Sequence, residues 1–341
     1  MKTLALFLVL LFPFEAKAFH PFGPWVARTN LLFTCDFTTG TLSTDCGTFT
    51  RASNGWYFDN TGALQVASTN VPRFDYDPST HAIKGLLIED SRQNLFLNSQ
   101  SPATQSITTT AQSYAISFYG TGSIALTGTI THTVTGSGAN VLTSYSTTAS
   151  AGTLTCTVSG SVTNAQVEAG TFATSRIVTA GSPVTRAQDD LVITSASWIN
   201  PQAGTTETEF SVEGFNATWN ASGHIYKDSS NFVGPYVSSN VFNTHIDNAT
   251  TFYYGTNLAG AVANTVYKVA MAYKTGANQG AANGSLITDS NLTSATVPAG
   301  LKNVSLGNRI SGGSNTLNGW LRKFQYWNTN LSSAVLQAIT S

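Results

Sequence analysis

Apolar and small polar residues alternate at period two over much of the chain, and period-two alternation predicts half-buried antiparallel strands. Over residues 99–190 the alternation runs through SYAISFYGTGSIALTGTITHTVTG and AGTLTCTVSGSVTNAQVEAG, with Gly-Thr-Gly and Gly-Ser-Gly as turns. This stretch predicts a small β-sandwich. Over residues 191–341 the strands read as TEFSVEGF, GHIYKD, TTFYYGT, TVYKVAMAYK, LKNVSLGN and GWLRKFQYWN. In TVYKVAMAYK, Val266, Lys268, Ala270 and Ala272 point one way, and Tyr267, Val269, Met271 and Tyr273 the other. A spacing of roughly ten residues suits a second sandwich and not a βαβ fold. One segment near the C-terminus, LSSAVLQAITS, breaks the pattern. It predicts a helix capped by Ser332 or Ser333, with Val335, Leu336 and Ile339 as its buried stripe. Residues 19–98 are punctuated by Ser53-Asn54-Gly55, Asp59–Gly62 and Asp77–Thr80. They are too broken for a large core of their own and are expected to pack on the modules that follow.

Composition supports an all-β reading. Only 10% of the 341 residues are charged, while 41% are hydrophobic. Thr favours strands, and Gly and Asn tolerate turn geometry. The formal net charge is −1. No basic stripe occurs, so a nucleic-acid partner is not expected.

The N-terminus carries Lys2, the apolar run Leu4–Phe14 and Ala16-Lys17-Ala18. That pattern reads as a secretory signal cleaved before Phe19. The run is shorter than the roughly 20 apolar residues that span a bilayer. The alternative for residues 1–18 is an anchoring arm within an assembly. Of the three cysteines, Cys35 and Cys46 flank a turn-rich segment and are a disulfide candidate in an exported chain. Cys156 lies in an alternating strand and reads as a small buried hydrophobe.

Candidate chemistry is sparse. Glycoside hydrolysis needs two carboxylates across a cleft. Glu207, Glu209 and Glu213 are the densest acidic cluster, with Glu207 and Glu209 on one strand face, and a solvated outer face is the expected role. No G-x-S-x-G elbow is present, and His20, His81, His132, His224 and His245 show no paired spacing. No cofactor is expected. Calcium is the one ion that Asp189, Asp190, Asp228 and Asp247 could serve, but no spaced acidic loop supports it, and turn-capping is the simpler role. Aromatic residues give the better lead. Trp219, Tyr226, Tyr236 and Tyr253, with Asn231 and Asn243 among them, are the candidate ligand-binding residues. Sugar C–H faces lie against rings, and amides bond the hydroxyls. Any one such ring is more often core than contact.

Residues Arg51–Ser99 carry three recurring phrases. They are an "R-A-S … Y-F-D … G" start, N-x-P-R-F-D-Y-D-P (Asn70, Pro72 to Pro78) and G-L-L-I-E … R-x-N-L-x-x-N-S. These resemble a segment of tailed-phage and prophage structural proteins. The next stretch, with VTNAQVEAGTFATSRIVTAGSPVTRAQDDL, is similar to the carbohydrate-binding-module-like jelly roll that follows it there. The C-terminal stretch resembles a concanavalin or laminin-G sandwich. The resemblance implies two tandem antiparallel sandwiches after an irregular N-terminal segment, in a non-catalytic virion protein of the tail fibre, tail tip or capsid surface. It implies attachment to host surface polysaccharide, contact with other virion proteins and a homo-oligomer, with a trimer favoured. A secreted protein is the alternative localisation. A structural connector and a glycan depolymerase acting through Glu207 and Glu209 are the alternative functions.

Overall fold

The computed structural model describes residues 31–215, 219–287, 289–313 and 315–341. The apolar run Leu4–Phe14, the Ala16-Lys17-Ala18 site and His20 lie outside the described residues. The fold is all-β, and every strand pairing described is antiparallel.

Two eight-stranded sheets form the larger sandwich. In the first, the order is Ser285–Ile287, Gln279–Ala282, Tyr267–Lys274, Ala203–Val212, Gly319–Trp327, Ile83–Ile88 and Phe74–Tyr76. Leu31–Asp36 also pairs with Gly319–Trp327, at residues 323–327. In the second, the order is Thr48–Thr50, Asp190–Ile193, Asn303–Leu306, Gly223–Asp228, Asn231–Ser238, Val241–Asn248 and Phe252–Ala259, with Asn220–Ala221 beside Asn231–Ser238. Strands from the broken stretch before residue 98 thus belong to both sheets.

Alternation places the core. Tyr267, Val269, Met271 and Tyr273 point into the space between the sheets, against Phe210, Phe324, Val233 and Ile246. Ala270 and Ala272 face the other way, under a helix α2 (Ser333–Thr340) that follows a shorter α1 (Ser290–Ser294). Val335 and Leu336 of α2 are buried there and Ile339 is partly so; small Ala side chains let the helix lie close to the sheet. The disulfide joins Cys35 to Cys46, and both are buried in this core.

The small sandwich is spliced into the larger one. The chain leaves the first sheet after Ile88 and enters the second at Asp190. Between them, one sheet has the order His132–Thr135, Ser123–Gly128, Gly152–Ser159 and Gln105–Thr109. Its partner sheet is Gly138–Ala149, Gln112–Gly120 and Thr163–Ala169. Phe118, Ile116, Ile124, Leu154 and Cys156 fill the space between the two. Burial pushes the Cys156 thiol up to about 12, consistent with an inert hydrophobe.

The splice is tied twice. Arg92–Asn94 pairs with Val184–Arg186, closing the entry against the exit. Beside this ladder, five charged side chains are almost fully buried. Arg51 bonds Asp189 at 3.1 Å, Arg73 reaches Glu89 at 2.7 Å and Asp189 at 2.5 Å, and Arg186 reaches Glu89 at 3.1 Å. Burial would raise the Glu89 carboxyl, but Arg186 and Arg73 hold it below the usual carboxylate range. Asp189 therefore serves this cluster; it is neither a turn cap nor a free cation ligand. Asp190 caps a loop instead, accepting from Ser311 Oγ and Gly312 N at 2.7 and 3.0 Å.

Candidate functional site

Strand register builds an aromatic surface on the outer face of the second sheet. The turn at Ser239-Asn240 has positive φ at both residues (46° and 68°), the geometry of a tight two-residue hairpin. It sets Ser238 opposite Val241, and so Tyr236 opposite Asn243 and Gly234 opposite His245. The next hairpin sets His245 opposite Tyr254 and Asp247 opposite Phe252. With period-two alternation, Phe232, Tyr236, Asn243, His245, Phe252 and Tyr254 share the face that points away from the core.

Trp219 lies across this surface. Its ring stacks on Phe252 at 5.3 Å and tilts against Tyr236 and His245 at 4.8 and 5.1 Å. Arg309 sits over the Trp219 and Phe232 rings at 5.8 and 5.3 Å. Trp219, Tyr236, Asn243, Phe252 and Tyr254 line an open hollow of about 580 Å³. Tyr254 is 48% exposed, and the Asn243 amide donates to Val241 O at 2.7 Å. Burial, followed by Tyr254, pushes the Tyr236 hydroxyl up to about 12, so it stays protonated as a donor.

Beneath the rings lies a pair that histidine spacing did not reveal. His224 and His245 are fully buried, and their Nε2 atoms are 2.9 Å apart. Gly234 makes the contact possible: a Cβ there would stand 2.6 Å from His224 Cδ2. Burial, then the Arg309 charge, pulls His224 down to about 3, and burial and His224 itself lower His245. Both rings are therefore neutral, one Nε2 donating to the other. Neither Nδ1 has a hydrogen-bond partner among the described residues. The hairpin registers carried the signal for this pair, but chain spacing alone does not express a row across three strands.

Of the candidates read from the sequence, the structure gathers Trp219, Tyr236 and Asn243 at the hollow. Tyr226 lies on the same sheet but is packed with Phe232 and Val192, away from it. Asn231 is used in a hairpin, donating to Asp228 Oδ1 at 2.8 Å. Tyr253 faces inward and packs on the main core, so the ring that fronts the hollow is its neighbour Tyr254.

The acidic cluster is not the solvated face expected for it. Glu207 is only 2% exposed, because it lies opposite Ala270, on the sheet face that α2 partly covers. Burial, then the Glu209 charge, pushes its carboxyl up to about 8. Glu209 is taken by Arg322 at 2.7 Å. Glu213 lies apart from both, and its carboxyl is buried facing a different cavity. Among the described residues, no group of three His, Cys, Asp or Glu side chains is placed to hold a metal ion.

No family model matches the chain, and no curated protein matches it. Solved structures are similar in part. One is the CBM40 module of a Ruminococcus gnavus sialidase bound to α2,3-sialyllactose, at 18% identity and TM-score 0.34, covering 41% of this chain and 83% of that one. Another is domain 4 of an extracellular GH43 arabinanase from Geobacillus stearothermophilus in complex with arabinotriose, at 10% identity and TM-score 0.38, covering 50% and 81%. A third is the NanB sialidase of Streptococcus pneumoniae, at 13% identity and TM-score 0.33; the chain spans 26% of its length.

Proposed function

We propose that this chain is a glycan-binding, non-catalytic component of a phage virion, and that it holds its sugar in the hollow on the outer face of the second sheet. The observation that carries the binding reading is the open hollow itself. It is walled by the Trp219–Phe252 stack, fronted by half-exposed Tyr254 and floored by the Asn243 amide. Rings offer a face to sugar C–H groups, and the amide and the Tyr236 hydroxyl offer polar contacts. Among the described residues its lining carries no carboxylate, which favours retention of a sugar over acid–base cleavage. The virion assignment rests on the phrases within Arg51–Ser99, and with it go other virion proteins and a trimer of this chain as partners. A glycan array on the full chain tests the binding. Host surface polysaccharide should bind, and Trp219→Ala should weaken it at least tenfold, about 1.4 kcal/mol. Binding unchanged in Trp219→Ala would overturn the site. Antibody labelling of purified particles tests the assignment, and unlabelled particles would overturn it.

A further inference from the structure

The cavity between the two sandwiches is a separate place from the hollow. Its walls come from four parts of the chain: the hairpin of Gly55–Phe58 and Leu64–Ala67, the small sandwich at Tyr119, the segment Phe172–Arg176, and the larger sandwich at Glu213 and Trp320. Its volume is about 430 Å³, enough for one or two sugar units. Trp56 and Phe58 are half-buried along it.

Its charges are not all paired at contact distance. Lys84 lies 3.4 Å over the Trp320 ring and 3.6 Å from Asp75, which also accepts from Trp320 Nε1 at 3.0 Å and Phe58 N at 2.8 Å. Asp77 at the rim accepts the amides of Ser79 and Thr80. Arg176 is different. Its guanidinium lies 3.6 Å over the Tyr119 ring and 5.3 Å over the Phe58 ring and shares a hydrogen bond with Tyr119, but it has no ion pair among the described residues. Its Nε is buried with no hydrogen-bond partner. Glu213 Oε2 is likewise buried with no partner, and burial, then the Glu89 charge, holds that carboxyl well above its ordinary range. Among the described residues Glu213 makes no ion pair with Arg176, so the guanidinium has no counter-charge at contact distance. A guanidinium without a counter-charge at contact distance, on the wall of a ring-lined cavity, has the form of a site whose ligand supplies the missing charge.

We propose that this cavity is a second ligand site, and that it takes a sugar unit bearing a carboxylate, with Arg176 as the anion's partner. Trp56 gives the ring face, and Arg176 discriminates acidic from neutral sugars because an uncharged unit leaves the guanidinium without a counter-charge.

The test uses the full chain against glucuronate-, galacturonate- and N-acetylneuraminate-terminated oligosaccharides, each beside its carboxyl-reduced counterpart, followed by tryptophan fluorescence and calorimetry. At least one acidic sugar should bind ten-fold or more tightly than its reduced form. Arg176→Gln should abolish that preference, and Trp219→Ala should leave it intact. Val141→Trp, at a 48% exposed position on the rim, should block the same sugar without disturbing the buried wall. Equal binding of acidic and reduced forms, no acidic sugar bound, or a preference that survives both Arg176→Gln and Val141→Trp would each overturn the proposal. Binding lost only in Trp219→Ala would place the acidic sugar in the hollow and also overturn it. Neutral-glycan binding lost only in Trp219→Ala bears on the hollow alone, so the two sites fail separately.

Discussion

The junction between the sandwiches and the outer face of the second sheet bury polar groups in opposite ways. At the junction, Arg51, Arg73 and Arg186 meet Glu89 and Asp189, so every charge has a counter-charge at contact distance. On the outer face, His224 and His245 are buried with no counter-charge among the described residues and are therefore neutral. A paired cluster resists rearrangement, because losing one member leaves another charge bare in a dry interior. A neutral pair under a ring-lined hollow adds no charge of its own to the surface above it. The first arrangement fixes how two modules sit together; the second underlies an open hollow.

The largest expected effect falls on the junction. Asp189→Asn takes a full charge from between Arg51 and Arg73 and should cost about 3–5 kcal/mol in urea unfolding. A cost under about 1 kcal/mol would show the cluster to be dispensable and remove one side of the contrast.

Acid should separate the two regions. The histidines are lowered in the folded state, so the unfolded chain binds more protons below pH 6.5, and stability falls as pH drops from there toward about 3. The steepest loss is about 1.4 kcal/mol per pH unit for each histidine. Glu89 is lowered from its ordinary value of 4.5, so its contribution is complete above that value and is lost only in stronger acid. Between pH 6.5 and 5 the double variant His224→Asn/His245→Asn should therefore show a flatter stability curve than the parent, read by thermal melts. Parallel curves would mean that the histidines are not buried neutral.

Gly234→Ala tests the same pair by shape. The added methyl meets His224 at 2.6 Å, and overpacking of this kind costs about 1–3 kcal/mol. An unshifted melting temperature would break the account of how the rings meet. The smallest effects should distinguish two neighbouring rings. Tyr254→Ala should weaken glycan binding several-fold with stability nearly unchanged, whereas Tyr253→Ala should lower stability by about 1 kcal/mol and leave binding alone. The reverse result would exchange the two faces of that strand.

The phrases that carry the resemblance are largely the junction. Arg51 stands in R-A-S, Arg73 in P-R-F-D-Y-D-P, Glu89 in G-L-L-I-E, and Arg186 and Asp189 in TRAQDD. Asn94, from R-x-N-L, donates to Ala165 O and Ile177 O and accepts from Phe96 N and Val167 N, so its amide is fully used. Read along the chain, these residues look like scattered polar positions in turns. Their meaning is a contact across more than a hundred residues, for example between Arg51 and Asp189.

Alternation along single strands determined the all-β class, the inward row Tyr267, Val269, Met271 and Tyr273, and α2 with its apolar stripe, since each depends on neighbours within a few residues. The crowding of aromatic and amide residues named Trp219, Tyr236 and Asn243, but it named Tyr253 where its neighbour Tyr254 was the ring at the hollow. Only the tertiary structure decided which face of each strand turned outward, that two histidines would meet over a glycine, and that the small sandwich would be spliced into a larger one with a cavity at the seam. Those outcomes depend on pairing between distant segments, and the local period of a strand is the same whichever partner it finds.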